Sequence, residues 1–296
     1  MRRLAFRNPP VHEVILALQV RDRVDLKVLD GAVKLLSEPL LETQRVETHQ
    51  VELLGTPTGE AGARVRREAV GWAFRTQGPT KVIQATRDSL SIHAVRPGTW
   101  PVGPYPGWNV NGPWALGVFR ELAPIYAGLG SRNASLRYLN RIAIPERAEL
   151  REWFTIVPLA PGGLSELSVF QFGQTWERVQ DHDDLSTTVR LTKIAIDHPE
   201  IHQGHQGVLL DIEVFTRRGV TAPAYDVLLE WFDEAHGVEN AVFESSITPK
   251  LADTFGREWA IWRHPSCSIR PTSRGISLPP PTRPTSDACL SPSWGK

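Results

Sequence analysis

Apolar and polar residues alternate with a period of two through most of this chain, and a helical period of three to four takes over in only a few windows. Residues 11–20, rich in Val, Ile and Leu, follow the rigid Asn8-Pro9-Pro10 and end at Arg21-Asp22-Arg23, which predicts a strand. Asp25 is placed to cap a helix carrying Leu26, Leu29, Val33 and Leu36, weakened by Gly31. Residues 42–54 and 65–76 read as strands around a loop holding Pro57 and Gly59, with Val70, Trp72 and Phe74 on one face. Gln77-Gly78-Pro79 turns the chain into 81–87 and 90–95, one long strand or a tight hairpin. Residues 96–112 are dense in Pro, Gly and Trp and predict irregular backbone. Pro113 then starts a helix reaching residue 129, with Gly130 as its stop.

The second half repeats this order. Residues 135–145 form a strand, 146–154 a short helix, and 164–174, 187–196 and 208–217 three more strands. Tyr225, Leu228, Leu229 and Phe232 make an amphipathic stripe that His236-Gly237 should end. A further helical stretch carries Val242, Phe243 and Ile247, and Thr248-Pro249 caps a restart. The expected fold class is α+β: two similar units, each a curved antiparallel sheet packed by a long helix. The expected boundaries are 1–132 and 133–262. Residues 263–296, rich in Pro and Ser, should be a disordered tail.

The strand at 135–145 carries the most chemistry. Its alternation puts Leu136, Tyr138, Asn140, Ile142 and Ile144 on one face and Arg137, Leu139, Arg141 and Ala143 on the other. Polar groups inside such a strand need specific partners. Gln84, Arg87 and Asp88, at the end of another strand, could join Arg137 and Arg141 in a polar cluster. Arginines there would grip phosphate or carboxylate bidentately, or simply tie Asp88 into a structural network. Trp100, Tyr105, Trp108 and Trp114 could stack on a ligand or plug the end of the sheet. Asp211 and Glu213 share a strand face and could hold a divalent ion, though a solvent face explains them equally. His198, His202 and His205 have the residue type of metal ligands but read as a solvated loop.

Composition narrows the classes. Basic and acidic residues balance at 33 each, so no global field draws the chain to nucleic acid or an anionic membrane. Only six of the basic residues are lysines; coding bias is the favoured reading of that, ahead of a need for forked phosphate or carboxylate donors. Both cysteines, Cys267 and Cys289, fall in the tail, so no disulfide framework or cysteine zinc site is expected in the folded part. No apolar run suits a signal peptide or a membrane span, which predicts a cytoplasmic protein. Phosphate-loop, dinucleotide, nucleophile-elbow and zinc-protease motifs are all missing from the sequence.

Three segments together resemble a sporadically distributed prokaryotic protein family of unknown function. They are Asn8-Pro-Pro-Val-His-Glu-Val-Ile-Leu, Tyr105-Pro-Gly-Trp108 and Leu136-Arg-Tyr-Leu-Asn-Arg-Ile-Ala-Ile-Pro145. Phe243-Glu-Ser-Ser-Ile-Thr248 is similar to that family's ending, so the likeness spans roughly residues 7 to 258. It implies a cytosolic prokaryotic protein and supplies no catalytic residues. Its patchy distribution suggests, by association, an accessory subunit of a defence system. The leading expectation is therefore a non-enzymatic binding or assembly protein with no cofactor and no resident metal. Its ligand-binding residues would be Arg87, Trp108, Arg137, Tyr138, Asn140 and Arg141, and its ligand a protein partner or a second copy. The rival is a metal-dependent enzyme acting on nucleotides or nucleic acid through Asp88, Asp211 and Glu213.

Overall fold

A strand whose alternate side chains are apolar must bury that face against something. In the computed structural model, which describes residues 2–6, 8–55, 61–76, 80–96, 105–156, 171–176, 185–194, 204–216 and 225–261, the alternating segments do so together in one sheet. The chain runs through β1 (Arg2–Phe6), β2 (Val11–Val20), α1 (Leu26–Asp30), β3 (Glu42–Gly55), β4 (Ala61–Arg75), β5 (Lys81–Thr86) and β6 (Ser89–Val95). Then come α2 (Trp108–Leu122), β7 (Ser131–Pro145), β8 (Gln171–Trp176), β9 (Leu185–Ile194), β10 (His205–Thr216), α3 (Tyr225–Ser246), α4 (Pro249–Thr254) and β11 (Arg257–Ile261). Nine strands lie in the order β3, β4, β5, β6, β2, β7, β10, β9, β8, and β1 and β11 make a separate pair. Every neighbouring pair in the large sheet is antiparallel.

The α+β class is as expected, but strands of both halves share this one sheet, where a sheet for each half was expected. The boundary expected between residues 132 and 133 falls inside β7, which is bonded to β2 on one side and β10 on the other. Residues Leu4–Trp259 form one compact unit. A small second unit takes Met1–Arg3 and Ala260–Lys296, of which residues 2–3 and 260–261 are described. The expected tail at 263–296, Trp100, His198, His202 and part of the 164–174 strand lie outside the described residues.

The helices cover one face. α2 packs on β6, and α3 packs on β10 and β7. Beneath them Val14, Leu16, Ile83, Leu90, Ile92, Leu122, Leu136 and Phe232 form one buried cluster. Ile142, Ile144, Val189, Leu191, Val208, Leu210 and Ile212 join Phe243 in a second. Each such side chain is worth about 1.5–3 kcal/mol removed from water. Phe119 of α2 meets Phe232 of α3 edge-on at 5.3 Å, so the two helices lock to each other as well as to the sheet. Among the described residues no helix is long and apolar enough to cross a membrane.

Three local expectations need correction. The helix expected from Pro113 begins at Trp108, after Gly107 takes a left-handed φ of 81° and its carbonyl accepts the Asn111 N–H at 3.0 Å. Pro113 therefore sits inside α2, on its exposed side. His236-Gly237 does not stop α3, because Leu228, Phe232, Ala235 and Phe243 continue one buried stripe across it. That burial outweighs the roughly 1 kcal/mol cost of a helical glycine. The helix expected at 146–154 shrinks to a single tight turn at Leu150–Glu152. The caps are as read: Asp25 accepts the Lys27 N–H at 2.9 Å, and Thr248 accepts that of Leu251 at 3.4 Å.

Candidate site on the sheet face opposite the helices

Strand alternation divides the expected site residues between two environments. Tyr138 and Asn140 point to the helix side and are buried, while Arg137 and Arg141 point to the other face. On the helix side the Tyr138 hydroxyl meets Nδ1 of His236 at 2.8 Å. The His236 ring stacks on Trp108 at 4.7 Å and on Tyr138 at 5.8 Å. The Trp108 indole N–H donates to Asp233 at 3.3 Å, tying the start of α2 to α3. Glu239, one turn further along α3, is buried; burial first, and Glu244 second, push its carboxyl up to about 8. Burial also raises the Tyr138 and Tyr105 phenols, with the Glu239 charge adding to both. Asn140 donates to the Leu210 carbonyl at 3.2 Å. Trp108 and Tyr138 thus hold helices to sheet, and Asn140 ties β7 to β10.

On the opposite face the register sets out three polar rows. One runs through Val82, His93, Ile15, Arg137, Glu213 and Thr188, across β5, β6, β2, β7, β10 and β9. The row beside it carries Gln84, Ser91, Ala17, Ser135, Phe215 and Ser186, and the row on the other side Val95, Glu13, Leu139, Asp211 and Arg190. Nε and Nη2 of Arg137 each donate to one oxygen of Asp211 at 2.7 Å, and Arg190 reaches the same carboxylate at 3.3 Å. Asp211 is only 6% exposed, against 34% for Arg137, so the acid is a built-in counter-ion. The bidentate bond, its largest influence, raises the Arg137 guanidinium above its usual range.

A second charged chain crosses the seam between β6 and β2. Glu13 meets Nδ1 of His93 at 2.7 Å, and Nε2 of the same ring meets the Ser91 hydroxyl at 2.9 Å. Glu13 and His93 are each 20% exposed. Burial, the largest influence on Glu13, opposes its charge. The His93 hydrogen bond and the nearby charges of His93, His12 and Arg137 outweigh it and hold the carboxyl below its usual range.

Arg141 is exposed on this face, close enough to His12 to help hold that imidazole below its usual range, behind the larger effect of burial. Arg87 stands apart at the end of the β5–β6 hairpin, where it bonds Glu68 and the Val24 carbonyl at 3.3 Å each. Asp88, in the turn beside it, accepts from Thr86 at 2.9 Å. Among the described residues, no group of three or more His, Cys, Asp or Glu side chains could hold a metal ion.

Sequence reading passed over Ser91, His93 and Glu13. Period-two alternation places Ser91 and His93 on one face, but Glu13 joins them only through the pairing of β2 with β6, which no local pattern announces. Asp211 was noted as an acid; Arg190 stands directly opposite it on β9, and Arg137 reaches it diagonally from β7. Compared with known proteins, the chain matches no family model and no curated protein.

Proposed function

We propose that this chain is a binding or assembly protein that engages a protein partner through the sheet face opposite its helices. The carrying observation is the asymmetry of the sheet: α2 and α3 pack on one face, and the other carries the half-exposed charged residues Glu13, Arg137, Arg190 and Glu213 beside exposed Arg141, although Asp211, Ser135, Ser186 and Thr188 on that face are buried. Mixed charge with apolar Ile15, Val82 and Leu139 between suits protein recognition better than the uniform basic surface that nucleic acid needs. A cytoplasmic location accompanies this reading. The metal-dependent alternative would need Asp88, Asp211 and Glu213 around one ion; Asp88 lies in a hairpin turn, and Asp211 is paired with two arginines.

We also infer that the two halves are related units. Each lays down a central strand, β2 or β7, crosses to the sheet edge at β3 or β8, builds inward until its last strand, β6 or β10, lies beside the first, and then returns a helix, α2 or α3, onto that last strand.

Arg141 is the residue to test, because it is exposed and Arg137 is tied to Asp211. Tagged wild-type chain and Arg141→Glu are compared in pull-downs from the native host, with photo-crosslinking from position 141. A partner crosslinked at 141 and lost from the charge-reversed variant, at unchanged thermal midpoint, supports the reading. A partner indifferent to position 141, or none, overturns it.

A further inference from the structure

We infer that Ser91, His93 and Glu13 form a nucleophile, a base and a positioning acid able to transfer an acyl group from a small carboxylic ester. The polarity of the chain carries this. An ionised carboxylate only accepts hydrogen bonds, so Nδ1 of His93, 2.7 Å from Glu13, holds the ring proton. In the neutral imidazole, the form that acts as a base, that leaves the Nε2 lone pair aimed at the Ser91 hydroxyl, 2.9 Å away. Both ring nitrogens are thus engaged in the sense that serine activation requires, with the acid behind the base and the hydroxyl in front of it. The carboxylate is also held ionised by its surroundings, which keeps this tautomer in place.

The scaffold supports the arrangement. Ser91 and His93 are alternate residues of β6, a central strand bonded to β5 and β2, and Glu13 comes from β2 itself. All three therefore stand on rigid backbone, two of them on one strand. Backbone N–H groups within a central strand are taken up by the ladder, so charge developing on a substrate oxygen needs a side-chain donor. Arg137 lies in the row of His93, across Ile15, and the Nη1 nitrogen of its guanidinium stands outside both bonds to Asp211.

The step balances without a co-reactant other than water. The Ser91 Oγ bonds to the ester carbonyl carbon as its proton passes to Nε2 of His93. The carbon–alkoxy bond breaks, and the proton leaves with the alcohol. Water then attacks the acyl-serine, gives its proton to Nε2, and releases the carboxylic acid as Ser91 recovers its hydrogen. This chemistry does not rest on the partner binding proposed above, although it uses the same sheet face.

The test uses the full chain and two probes: a fluorophosphonate, which bonds to activated serines with loss of fluoride, and p-nitrophenyl acetate. Intact mass and peptide mapping locate any adduct. The expected result is a single adduct on Ser91, with p-nitrophenyl acetate turnover lost in Ser91→Ala and reduced at least about 100-fold in His93→Gln. Glu13→Gln should slow labelling and shift its pH profile, and Glu13→Asp should restore part of the rate. A folded wild-type chain left unlabelled at Ser91 overturns the inference. So does a labelling rate that His93→Gln leaves unchanged.

Discussion

Arg137 grips Asp211 on the diagonal: its direct neighbour on β10 is Glu213, yet both of its 2.7 Å bonds go to the acid opposite Leu139. Glu213 is the nearer acid by register, but Asp211 is the more deeply buried and gains more from a fixed cation. Truncating Arg137 to Ala strands that carboxylate with only the 3.3 Å contact from Arg190. Urea unfolding should show a loss of about 3 kcal/mol. Replacing both partners, as Arg137→Leu with Asp211→Leu, should recover much of it, since neither charge is then left buried alone. Equal losses for the single and double variants would contradict this.

The buried Glu239 gives a pH signature. Its folded carboxyl titrates at about 8 against 4.5 unperturbed, so between those values the folded chain holds a proton that the unfolded chain has lost. Its contribution is fully present below the unfolded value and declines as pH rises toward 8, by at most about 1.4 kcal/mol per pH unit. Denaturant midpoints from pH 5 to 8 should fall in the wild type and stay flatter in Glu239→Gln.

The stack of Trp108, His236 and Tyr138 holds the start of α2 to α3 and β7. Tyr138→Phe removes one hydrogen bond and should cost about 1 kcal/mol. His236→Ala removes both ring contacts as well and should cost about 2–3 kcal/mol. The difference between the two is read from thermal unfolding, and equal costs would mean that stacking contributes nothing.

Gly71 faces Thr86 of β5, just beside the register shift between Val46 and Glu47 on β3. A Cβ there would fall 2.1 Å from the Ala85 carbonyl oxygen, a backbone atom. Gly71→Ala should therefore cost roughly 2 kcal/mol or more, although alanine is the gentlest substitution available. An unchanged urea midpoint would show that β4 and β5 can part at no cost.

The strands were legible because a period of two survives any tertiary arrangement; β7 shows it, since Leu136, Tyr138, Asn140, Ile142 and Ile144, read onto one face, are buried together. What local pattern could not convey was neighbourhood. Glu13 is on β2 and His93 on β6, neighbours in the sheet but far apart in the chain, and Arg137 meets Asp211 through a pairing set by the whole sheet. Gly237 misled for a related reason: its helix cost is local, whereas the buried stripe that overrides it needs the sheet below. The same gap split the expected cluster of Arg137, Arg141, Arg87 and Trp108 between two faces and a distant hairpin.

The β2–β7 pairing, with Leu16 opposite Leu136, has a consequence for how the chain comes to be folded. During synthesis the first five strands of the sheet emerge long before β7, and until then β2 is a bare edge of alternating Val, Leu and Ile. Such an edge is a template for pairing with any other extended chain. A truncated first half should therefore self-associate, and adding the second half as a separate polypeptide should rescue it by filling the seam. The strand that joins the halves is also the one that keeps the nascent protein from joining its neighbours.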